Sequence, residues 1–156
     1  MITGGHGMET TMVCTNCGIP LDAQYFDESG MQDRPSFGDT IVLASFQLQP
    51  QYCGVLEYFA QYVGQRNRGL SVAETPGLEW TIQVNGSPLY PYTGVEIIVN
   101  PWGVGGFPVN IRLSENALVE FVVRATQSVQ TITRVGGRIM GRFWYNSGYG
   151  GVLRNG

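Results

Sequence analysis

The chain has 156 residues, of which 13 % are charged, about half the ~25 % usual in soluble domains, while 43 % are hydrophobic and 22 are glycine. All nine basic residues are arginines and His6 is the single histidine. This excludes lysine Schiff-base chemistry and a P-loop, and it starves Ser-His-Asp, Cys-His and multi-histidine metal sites of their parts. The net charge of −3 gives no general attraction to nucleic acid, and no apolar run approaches the ~18 residues that cross a bilayer as a helix, so neither a nucleic acid nor a membrane is an expected partner and no targeting segment is expected.

Residues 1–38 show no sustained period. Gly18, Pro20, Gly30, Pro35 and Gly38 interrupt them repeatedly, and Met8, Met12, Met31 and Tyr25-Phe26 are scattered between the breaks. The segment reads as an extended N-terminal arm that orders against a partner. From Asp39 the texture becomes that of a β domain, residues 39–156. Thr40–Phe46 and Val55–Val63 are β-branched and aromatic runs, and residues 65–77 read as a loop. Leu78–Val84 alternates strictly, which predicts a half-buried strand, and Asn85-Gly86 after it predicts a tight hairpin turn.

Val95–Val99 is a further short run, and Val109–Leu113 alternates again before a turn at Ser114-Glu115-Asn116. Ala117–Ala125 places Ala117, Val119, Phe121, Val123 and Ala125 on one face. Ile132–Tyr145 is a last strand, where Gly136, Gly137 and Gly141 predict a bulge or a close backbone approach. Seven or eight strands with Gly/Pro turns and no amphipathic helix predict an all-β, antiparallel sandwich or barrel; a jelly-roll-like β-sandwich is the specific expectation, with an immunoglobulin-like sandwich as the alternative. Trp80, Phe59, Phe121, Phe143 and Trp144 are its candidate core aromatics.

Charge is unevenly spread. Residues 1–38 hold one arginine against five carboxylates, a net −4, whereas residues 101–156 hold six arginines against two, a net +4. Such an asymmetry predicts docking of the arm on a neighbouring copy. Arg134, Arg138 and Arg142 recur at an even spacing, which on a strand is one face that can pair with acidic neighbours.

Cys14 and Cys17, in Cys-Thr-Asn-Cys-Gly, form half a zinc knuckle. The other half is missing, with His6 and Cys53 as the remaining donors, so no cofactor is expected: a reduced, exposed pair or an opportunistic disulfide is the leading reading, and a structural zinc at Cys14 and Cys17 is the alternative. Glu57, Glu79, Glu96 and Glu120 could in principle supply a glycosidase pair. Glu79 and Glu120, however, fall on the polar phase of their strands, where a solvated face places them. Tyr90, Tyr92 and Trp102 fall in predicted loops. With Tyr25 and Phe26 they are the candidate interface anchors, since aromatic side chains bury large areas at low entropic cost.

The stretches QLQPQYCGVLEYFAQYVG, LEWTIQVNGSPLYPY, FPVNIRLSENALVEFVVRA and GGRIMGRFWY together resemble small β-sandwich virion proteins of tailed bacteriophages, over about residues 46–145. The resemblance implies a non-enzymatic capsid cement or decoration protein of the phage head. Its partners would be the major capsid protein and copies of itself. A head–tail connector or neck component, and a carbohydrate-binding module on a tail or spike, are the alternatives. The 1–38 segment with its Cys pair lies outside the resemblance.

Overall fold

A computed structural model describes residues 18–65, 68–70, 77–93, 107–128 and 134–146, with only the backbone described at residues 65, 68–70 and 90–93. Among the described residues nine strands follow in chain order. They are β1 (Gln24–Asp33), β2 (Thr40–Gln47), β3 (Tyr52–Gln65), β4 (Arg68–Leu70), β5 (Leu78–Val84), β6 (Ser87–Thr93), β7 (Phe107–Leu113), β8 (Leu118–Ala125) and β9 (Arg134–Tyr145). Among the described residues no helix is long and apolar enough to cross a membrane.

The pairings nest. β1 pairs with β9, β2 with β8, β3 with β7 and β5 with β6, all antiparallel. The strands therefore behave as one long hairpin whose tip is the Asn85-Gly86 turn. Rolling that hairpin up gives two sheets, β1-β9-β3-β7 and β2-β8-β5-β6, with the short β4 lying beside β7 along the same edge of β3. This is the strand order of a jelly roll, a double-sheet solution in which each sheet mixes strands from both arms of the hairpin.

The hairpin tip follows from residue chemistry. Asn85 (φ 53°) and Gly86 (φ 76°) both take positive φ, which the right-handed twist of the flanking strands requires and which only Asn, Asp and Gly adopt cheaply. Asn85 also ties the turn to the start of β8. Its backbone N–H donates to the Leu118 carbonyl at 2.8 Å, and its Oδ1 accepts from the Leu118 N–H at 2.9 Å. Replacing Asn85 with alanine should lower stability by about 1–2 kcal/mol, because alanine lacks the short polar side chain that makes this φ cheap for asparagine and the Leu118 N–H loses its acceptor. Urea denaturation of the two proteins measures the difference.

The core fills the space between the sheets. Trp80, Phe59 and Phe121 are fully buried, as are Val119, Val123, Ile82, Leu56 and Ile139. Phe121 from β8 stands 5.5 Å from Phe59 on β3 and 5.7 Å from Trp80 on β5, ring centre to ring centre, so three aromatic rings bridge the two sheets. Phe143 packs against this core from β9. Trp144, its neighbour in sequence, falls on the opposite strand phase, since adjacent residues cannot share a face.

The boundary expected at Asp39 falls inside the domain. β1 pairs with β9 at ten successive positions, from Gln24 opposite Phe143 to Asp33 opposite Arg134. The connection to β2 is tied down as well. Gly38 N–H donates to the Ala125 carbonyl at 2.8 Å, and Arg34 Nη2 donates to the Gln127 carbonyl at 2.5 Å. Gly30 lies so close to the Leu43 carbonyl that no side chain fits between them, and Gln32 Nε2 bonds the Val42 carbonyl at 2.7 Å. The edges of β1 and β2 thus close against each other. Residues 24–33 are a sheet strand and not part of an extended arm.

Candidate interaction surface

Register places side chains in rows across the outer face of the β1-β9-β3 sheet. Asp33, Arg134 and Gly64 form one row, and Met31, Gly136 and Tyr62 the next. Ser29, Arg138 and Ala60 follow, then Asp27, Met140 and Tyr58, then Tyr25, Arg142 and Val55. The three arginines of the sequence pattern do share one face. Tyr25 is 77 % exposed, Met31 48 %, Tyr58 44 % and Tyr62 38 %. Large exposed side chains therefore stand around the centre of this sheet.

Between them the surface dips. Gly136 has no side chain, and Ser29, Ala60 and Gly30 are small, so a groove of about 410 Å³ runs beside Met31, Tyr62 and Arg138. Two ion pairs brace the face. Arg138 grips Asp27 with Nε at 2.7 Å and Nη2 at 2.5 Å, and Arg142 grips Glu57 with Nε at 2.9 Å and Nη2 at 2.5 Å. The Arg142 guanidinium also lies over the Tyr25 ring, 5.8 Å from its centre, within cation–π range. Glu57 reaches Arg142 because β3 carries a bulge between Leu56 and Tyr58, which gives the strand one extra residue against β9.

The Arg138 hydrogen bonds hold the Asp27 carboxyl below the usual carboxylate range, and Asp27 in turn holds Arg138 higher. A depressed folded-state pKa contributes stability above the ordinary value of ~3.9 and loses it as pH falls through the lower folded value. Both groups are about half exposed, so the contribution is small and screened by salt. Asp27→Asn should therefore melt slightly below the parent at neutral pH and low salt. The gap should close in strong acid and at high salt.

This pairing relocates the expected charge complementarity. The acidic early segment does meet the basic late segment, but within one chain, where β1 lies on β9 and Asp27 on Arg138. Of the arm aromatics, Tyr25 is on the surface. Phe26 is not an interface anchor: it is 5 % exposed and its ring stacks on Phe46 at 4.1 Å inside the sandwich. Tyr90 and Tyr92 lie in strand β6 at the edge of the second sheet, not in a loop. Trp102, Cys14, Cys17 and His6 lie outside the described residues, as do the Val95–Val99 run and Glu96.

The chain matches no protein-family model and no curated protein. Among solved structures it is similar to dimeric latent PorU from Porphyromonas gingivalis, with a TM-score of 0.34 and 12 % identity over 85 % of this chain and 14 % of that one. This chain spans about a seventh of that protein.

Glu79 and Glu120 take the outer phase of the second sheet, Glu79 opposite Arg124 and Glu120 between Ser45 and Gln83. Among the described residues no three His, Cys, Asp or Glu side chains converge on a point that could hold a metal ion. Cys53 is a half-buried free thiol. Desolvation by its surroundings pushes its pKa up, and the Glu115 charge adds to the rise. In a Cys14→Ser/Cys17→Ser background, Cys53 should react with iodoacetamide more slowly at pH 8 than a model thiol does, and its rate should keep rising beyond the pH where the model thiol levels off.

Proposed function

We propose that this chain is a non-enzymatic structural protein of a tailed-bacteriophage particle. It acts as a cement or decoration protein that holds neighbouring shell subunits together. The observation that carries this reading is the outer face of the β1-β9-β3 sheet. It gathers Tyr25, Met31, Tyr58, Tyr62 and paired arginines around a shallow groove. Tyrosine, methionine and arginine are the residues enriched in protein–protein contacts. The jelly roll supports the reading at the level of fold analogy, since viral capsid domains use it, and lectins and cupins use it too. Adhesion of such a face between copies seated on neighbouring shell subunits is mechanical work: it buries apolar and aromatic area and raises the barrier to shell rupture. The major capsid protein and further copies of the chain are its partners in this reading, and the particle head is its location.

Quantitative mass spectrometry of purified particles tests this directly. A copy number comparable with that of the major shell protein is the expected result. A count of one ring would move the chain to the head–tail junction, and its absence from the particle would overturn the reading.

A further inference from the structure

We infer that the outer face of the β1-β9-β3 sheet is where two copies of this chain meet, face to face, in an isologous dimer. The inference rests on the reading of this face as a protein contact and names what occupies it. An isologous interface uses the same patch twice, so the patch must carry both projections and a hollow to receive them. This face carries both. Met31, Tyr58 and Tyr62 project, and the groove floored by Gly136 lies among them.

Size agrees with a dimer. β1, β9 and β3 have 10, 12 and 14 residues, which at ~3.3 Å along and ~4.8 Å across each strand cover ~570 Å². Two such faces together bury ~1,140 Å², above the ~1,000 Å² that a specific interface clears. Charge agrees as well. Arg134, Arg138 and Arg142 share the face with Asp27, Asp33 and Glu57, so a second copy meets balanced charge and no net repulsion. Strand β2 of the other sheet is the contrast: its exposed residues are Thr40, Val42, Ser45 and Gln47, with no ring among them. Two faces of the β1-β9-β3 kind would pack as sheets do in a sandwich, with Tyr58 and Met31 of each copy entering the other's groove.

Sedimentation equilibrium of the full chain across a wide concentration range decides the matter. The parent should show the mass of two chains. Tyr58→Glu and Met31→Glu, both at exposed positions, should weaken association about tenfold or more. Gln47→Glu, exposed on the opposite sheet, should leave it unchanged. Circular dichroism confirms that each variant is folded, and Tyr25→Glu replaces either one that is not. A parent that sediments as one chain, folded face variants that remain fully dimeric, or a Gln47→Glu protein that dissociates would each overturn the inference. The outcome is separable from the proposed function. A monomer present in particles at shell-like copy number overturns only the dimer, and a dimer absent from particles overturns only the particle role.

Discussion

Truncating Trp80 to alanine should remove about 3–5 kcal/mol of folding stability, a large share of the ~5–15 kcal/mol that a domain possesses. The indole is fully buried on β5 and meets Phe121, which in turn meets Phe59 on the facing sheet. Removing it deletes the β5 end of that bridge and leaves a cavity walled by strands that cannot collapse independently, because β5 is held between β6 and β8. Phe121→Ala should cost a similar amount for the same reason. The two losses should not add, since the residues touch: a double-mutant cycle should show coupling of about 0.5 kcal/mol or more. Urea denaturation at equilibrium provides all four stabilities. A Trp80→Ala protein within ~1 kcal/mol of the parent would remove Trp80 from the centre of the core.

The same burial explains which strands were legible in the sequence. β5 and β8 are covered on their inner faces along their whole length, so Leu78, Trp80 and Ile82, and Val119, Phe121 and Val123, repeat every second residue and are all buried. β1 carries no such signal. Its inward phase is Gln24, Phe26, Glu28, Gly30 and Gln32, and only Phe26 of these reaches the core, because the strand lies at the sheet edge against β2. An edge strand needs little apolar content, and its polar pattern resembles that of a loop. Pro88 and Pro91 hid β6 in the same way. Proline lacks the donor a central strand needs, but an edge strand tolerates it. β4 has three residues and no room for a period.

The candidate surface was legible in part. The even spacing of Arg134, Arg138 and Arg142 places them on one face of β9 whatever else the chain does. Their companions depend on long-range register. Simple alternation from Val55 would send Tyr58 and Tyr62 to the inner face with Leu56. The bulge at Glu57 reverses the phase, so that Phe59 and Val63 turn inward and both tyrosines turn out. No local pattern announces a bulge whose residue is held by an arginine 85 positions away.

Gly136 and Gly137 provide the second large effect, and a sharp contrast between neighbours. They follow each other on β9 and so face opposite ways. A Cβ at Gly137 would stand 2.7 Å from the Phe121 ring and 2.9 Å from Leu43 Cβ, inside the core. A Cβ at Gly136 would stand 3.3 Å from the Gly30 carbonyl oxygen and 3.4 Å from Tyr62 Cβ, on the outer face. Gly137→Ala therefore overpacks a filled interior around the ring that bridges the sheets and should cost about 1–3 kcal/mol, with Gly137→Val costing more. Gly136→Ala should stay within about 1 kcal/mol of the parent, because a slight shift at the Gly30 carbonyl on the edge strand β1 accommodates the methyl group and alanine narrows the unfolded ensemble. Thermal melts of the three variants separate these outcomes. Equal losses at the two positions would mean that β9 does not present Gly137 to the core and Gly136 to the surface. A destabilised Gly137→Ala beside a near-neutral Gly136→Ala locates the groove of the candidate interface on the side of β9 away from Phe121, where a partner can reach it.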